Sequence, residues 1–160
     1  MQIWERLVAA HLSLSAASRE FMVPGVDRVG LIRLALRSGF DQSAGWMIES
    51  LPKTELRELF PVLLRLASDG HGAVYLFRDA IRSLPRDWVL PRLREDLPAI
   101  LDAGDYDVWR CVLELCSQLD RDMTSDLATK AAAHNDPDIR EAGDEYLEYL
   151  RNKKPCSCSL

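Results

Sequence analysis

Apolar residues recur at spacings of three and four along nearly the whole chain, and few windows show the strict alternation or the Val, Ile and Thr richness of strands. The pattern predicts an all-α fold. Three segments of nineteen residues, 66–84, 101–119 and 132–150, each end in Leu and carry a polar turn near the start. Those turns read Ser68-Asp69-Gly70-His71-Gly72, Ala103-Gly104-Asp105-Tyr106-Asp107 and His134-Asn135-Asp136-Pro137-Asp138. Counting back from each final Leu, the position eleven before holds Ala73, Val108 and Ile139, and the position eight before holds Leu76, Cys111 and Ala142. Seven before come Phe77, Val112 and Gly143, and three before come Ile81, Cys116 and Leu147. This is one buried helix face written three times. A weaker copy ends at Leu51, with Phe40, Ala44, Met47 and Ile48 on its stripe and a turn at Ser38-Gly39.

The final leucines at 51, 84, 119 and 150 are 33, 35 and 31 residues apart. Two helices per unit at such a period predict a short α-solenoid, in which each antiparallel helix pair needs its neighbours to bury its face. An irregular helical bundle is the alternative architecture. The first helices of the pairs are expected over 54–66, 87–101 and 123–133, with Thr54 and Asp87 as N-caps and with Pro91 and Pro98 bending or delaying the second. Residues 1–152 are expected as a single repeat domain of about four repeats, and 153–160 as a flexible tail.

The run Asn135-Asp136-Pro137-Asp138-Ile139-Arg140 opens a helix with Asp as N-cap, Pro at the first helical position and a further acid in the positive first turn. Here the chain resembles the HEAT repeat family, over roughly residues 26–150. Only this repeat carries the full motif; the Val108-Trp109-Arg110 turn is looser, and Gly72-Ala73-Val74 lacks the Arg. The resemblance implies a right-handed solenoid whose second helices line the concave surface.

With 20 Lys+Arg against 25 Asp+Glu, the formal charge of −5 opposes general attraction to nucleic acid phosphate or anionic lipid. No apolar run approaches a membrane span, and the apolar stretch 7–14 contains His11 and follows Glu5, so a soluble cytoplasmic protein without a signal peptide is expected. The acidity is concentrated: residues 120–150 hold nine acids against Arg121, Lys130 and Arg140, a net of −6. Cys111 and Cys116 fall inside a helical pattern as small core residues, whereas Cys156 and Cys158 form a Cys-x-Cys pair in the tail with too few companions for a closed zinc site.

No Gly-rich phosphate loop, Gly-x-Ser-x-Gly or His-Glu-x-x-His occurs, and His11, His71 and His134 are isolated. The absence of any His-Glu dipeptide excludes the iron-binding branch of HEAT-like enzymes, and the acidity argues against the cationic cleft of HEAT-like DNA glycosylases. Asp69, Asp105, Asp107, Asp136 and Asp138 recur at turns, where helix capping accounts for them better than paired-acid chemistry. No cofactor, metal or catalytic residue is expected.

The positions left over after the buried stripe are Trp46 in the first copy, Tyr75, Arg78, Asp79 and Arg82 in the second, and Trp109, Arg110, Leu113 and Glu114 in the third. The fourth adds Arg140, Glu141, Asp144, Glu145, Glu148 and Tyr149. Tyr, Trp and Arg concentrate binding energy at interfaces, so Trp46, Tyr75, Arg78, Arg82, Trp109, Arg110, Glu114, Asp144, Glu145 and Glu148 are the candidate partner-binding residues. Trp46 and Trp109 have the competing role of packing between repeats. The expected function is a non-catalytic protein-binding module, in its sharper form a bacterial immunity- or antitoxin-type inhibitor of a basic toxin domain. The alternatives are an enzyme or enzyme subunit acting on a modified protein or nucleotide, with Trp46, Tyr75 and Arg78 shaping a pocket, and a scaffold in a larger assembly.

Overall fold

The computed structural model describes residues 2–70 and 72–152. Nine helices and no strand are present among the described residues: α1 (Gln2–Phe21), α2 (Arg28–Arg37), α3 (Asp41–Glu49), α4 (Lys53–Ala67), α5 (Val74–Arg82), α6 (Arg86–Asp102), α7 (Tyr106–Leu119), α8 (Arg121–Ala132) and α9 (Pro137–Asn152). His71, Cys156, Cys158 and the proposed tail lie outside the described residues. The chain divides into two compact units, Met1–Leu59 and Phe60–Leu160, with the division inside α4.

In the first unit α2 packs on α3. Asp27 caps α2 by accepting from the Gly30 amide at 2.8 Å. The helix ends at Ser38-Gly39, where Gly39 has φ +78°, a left-handed conformation that a side chain disfavours. Val29 and Ile32 of α2, Ala44 and Ile48 of α3, and Leu51, Leu56 and Leu59 are buried. Arg28 grips Glu55 through two guanidinium nitrogens, Nε donating to Oε2 at 2.8 Å. That contact holds the Glu55 carboxyl below its ordinary value. Phe40, expected on the buried stripe, is 62% exposed, because it precedes α3 rather than lying within it.

In the second unit α7 is the hub, in contact with α5, α6, α8 and α9. Trp109, Val112, Leu113, Leu115, Cys116 and Leu119 are therefore all buried on one helix, a wider face than a single neighbour would cover. Phe60 meets Trp88 edge to face, centroids 5.3 Å apart. Asp120 closes α7 and opens α8: its Oδ1 accepts from the Met123 amide at 2.8 Å and its Oδ2 from Arg86 at 2.8 Å. The α8–α9 approach depends on Gly143, where a Cβ would stand 2.3 Å from the Ala132 nitrogen and 2.8 Å from the Ala128 oxygen.

All four final leucines, Leu51, Leu84, Leu119 and Leu150, are buried. Helices α4, α6 and α8 lie within two residues of the bounds expected at 54–66, 87–101 and 123–133. Thr54 and Asp87 are not N-caps, since α4 starts at Lys53 and α6 at Arg86 behind Pro85. Pro91 and Pro98 do not delay α6, which runs through both. In the last turn the expected capping is present: Asp136 Oδ1 accepts from the Asp138 amide at 2.9 Å, with Pro137 opening α9.

Candidate interaction surface

Helices α5, α7 and α9 carry the candidate residues of the second unit, and α5 contacts α7 as α7 contacts α9. Each has an apolar face turned inward, which leaves the opposite face to solvent. On α9, Ile139, Ala142, Gly143 and Leu150 are buried, so Glu141, Asp144, Glu145 and Glu148 form an exposed acidic row at helical spacing. Two of the candidates are joined here: Arg110 Nη1 reaches Glu145 Oε2 at 3.0 Å and also donates to the Tyr106 hydroxyl at 2.9 Å. Beside this pair Tyr146 and Tyr149 meet edge to face at 6.2 Å. Burial, with Glu114 nearby, pushes the Tyr146 phenol above its ordinary value, so it remains a neutral donor at physiological pH. Arg110, Ser117, Glu145, Tyr146 and Tyr149 line a shallow groove of about 270 Å³.

Tyr75 (49% exposed) and Arg82 stand in solvent on α5, Arg82 paired with Asp79 one helical turn away at 2.8 Å. Trp46, 52% exposed, lies on α3 of the first unit.

Arg78, expected on the exposed face, is buried, and Trp109 takes its competing role of packing in the interior. Arg78 is 6% exposed and is a strut, not a surface group. Its Nε donates to the Ala67 carbonyl at 3.3 Å, Nη2 to the Cys111 carbonyl at 3.3 Å, and Nη1 to Glu114 Oε2 at 2.5 Å. The guanidinium thereby ties the end of α4 and the body of α5 to α7. Glu114 is half-exposed, with its carboxylate spent on that strut. Trp109 is 7% exposed and packs on His134, centroids 5.6 Å apart. Leu113, also expected outside, is fully buried.

A second concavity has no motif in the sequence, because its walls come from positions far apart in the chain. It measures about 320 Å³ and lies among α6, α7 and α8, with Leu93, Leu97, Leu101, Met123 and Leu127 as apolar walls and Trp109 among its lining. Arg94, Asp102, Asp126 and Lys130 also line it. The Trp109 Nε1–H is buried without a hydrogen-bond partner among the described residues. Among the described residues no cluster of His, Cys, Asp and Glu is arranged to hold a metal ion, and no helix is long and apolar enough to cross a membrane. Comparison with protein-family models, curated proteins and solved structures gives no match.

Proposed function

We propose that the chain is a non-catalytic protein-binding module of HEAT-like helix pairs, with α5, α7 and α9 as second helices. Three cross-links support the repeat reading of the second unit. Arg78–Glu114, Arg110–Glu145 and Arg86–Asp120 join residues 36, 35 and 34 apart, close to the leucine period. A regular offset of that size is what stacked, equivalent helix pairs require.

The observation that carries the binding reading is the α7–α9 groove, with two packed tyrosines and an Arg–Glu pair, on the helix that also carries the exposed acidic row. Aromatic rings give anchoring area at small entropic cost, and the uncompensated carboxylates of Glu141, Asp144 and Glu148 attract and orient a basic protein surface. The sharper form of this reading is an immunity- or antitoxin-type inhibitor that covers a basic toxin or effector domain. The partner is isolated by affinity capture from the source organism and then titrated as a pure protein. Tyr149→Ala is expected to weaken its binding about thirtyfold, the equivalent of ~2 kcal/mol. Glu141→Lys, Asp144→Lys and Glu148→Lys together are expected to slow association about tenfold at low salt and less at high salt. Wild-type affinity and rate in both variants, with helicity retained, refute the assignment.

A second reading is favoured by one observation, the cavity among α6, α7 and α8, whose lining combines apolar walls and Trp109 with Arg94, Asp102, Asp126 and Lys130. An apolar ligand with a hydrogen-bond acceptor fits such a site, and its binding there would make the chain a ligand-binding or enzyme subunit.

A further inference from the structure

Helix α1 buries none of its residues, although it carries an unbroken apolar seam. Ile3, Leu7, Ala10, Leu14, Ala17 and Phe21 follow one another in alternating steps of four and three. That is the a/d spacing that keeps one stripe facing a partner helix. Ile3 is 75% exposed, Leu7 57% and Leu14 56%; Ala10 and Ala17 are exposed as well, and Phe21 is half-buried. The charges on the helix, Glu5, Arg6, Arg19 and Glu20, cancel, so there is no cationic face for an anionic lipid surface.

We propose that α1 pairs antiparallel with α1 of a second copy of this chain, about a two-fold axis at residue 12. In that register, seam residues whose numbers sum to 24 meet across the interface. Leu7 faces Ala17 of the second copy, Ala10 faces Leu14, and Ile3 faces Phe21, so every alanine is opposed by a large side chain. The flanking positions, whose numbers sum to 26, set Arg6 against Glu20 of the second copy, twice by symmetry. Neither residue has an ion-pair partner within its own chain among the described residues. Trp4, 70% exposed, flanks the seam and is partly covered by the pairing. A parallel pair is worse on both counts: it stacks Ala10 on Ala10 and Ala17 on Ala17, which leaves gaps, and it sets Arg6 near His11 instead of an acid. An isologous contact of this kind closes at two copies.

The test is the mass of the full chain in solution, by light scattering or sedimentation equilibrium, with circular dichroism to verify helicity. The wild-type chain is expected near 36 kDa, about twice 18.1 kDa. Leu7→Glu is expected to return it to the monomer mass, and because α1 contributes nothing to the core the variant should fold. Arg6→Glu and Glu20→Arg should each weaken the dimer several-fold, and the double variant Arg6→Glu/Glu20→Arg should restore it. Residues 6 and 20 stand about 21 Å apart along one helix, so restoration reports a contact between chains. A monomeric wild-type chain overturns the proposal, whether or not it binds phosphatidylcholine vesicles. So does a dimer that survives Leu7→Glu, and a double variant that stays as weak as the single ones overturns the antiparallel register.

Discussion

Arg78 and Trp109 are residue types that mark interfaces, yet both are spent on the interior, and the reasons are local. A guanidinium has five donors in a fixed fork, and three of them find acceptors here on α4 and α7. Two of these acceptors are main-chain carbonyls, which lose a partner when the donor is removed. Arg78→Ala is therefore expected to lower stability by about 2 kcal/mol, read from chemical denaturation, while leaving the α7–α9 groove competent to bind. Trp109 is buried because its neighbour α8 and the His134 turn cover its ring. Cys116, read as a small core residue, is that: burial, with Asp120 nearby, pushes its thiol up to about 12, so it is inert at neutral pH.

The helices show which sequence signals hold at the element scale. Of the stripe residues, Ala73, Phe77, Ile81, Val112, Cys116, Ile139 and Ala142 are buried and Met47, Leu76, Val108, Cys111 and Leu147 half-buried, whereas Phe40, at a helix entrance, is exposed. Caps follow the same logic: Asp105 and Asp136 accept from amides of α7 and α9, whereas Asp107 and Asp138 sit in the positive first turns. Gly143 occupied a stripe position among larger residues, and its smallness is what lets α9 lie against α8. Gly143→Ala raises helix propensity but drives a methyl group into the α8 backbone. The steric effect should dominate, costing about 3 kcal/mol and lowering Tm by several degrees in a calorimetric scan.

At the scale of the whole molecule, each unit holds a carboxylate whose ionised form is favoured by the fold: Glu55 by Arg28 in the first unit, and Asp120 by the Met123 amide and then Arg86 in the second. A carboxyl depressed on folding adds stability above its unfolded value, near pH 4, and loses it as pH falls through the lower folded value. The thermal midpoint should thus hold at neutral pH and fall below about pH 4. Asp120→Asn should lose stability at pH 7 and differ less from wild type at pH 3. Periodicity by itself determined that the chain is helical, roughly where α4, α6 and α8 begin and end, and that the four final leucines face inward, because these depend on the spacing of neighbours in the chain. Which amphipathic side chain is covered was decided by tertiary structure. Spacing defines a helix face but not what packs on it, so the burial of Arg78 and Trp109, the cavity among α6, α7 and α8, and the bare seam of α1 appear only when the helices are assembled.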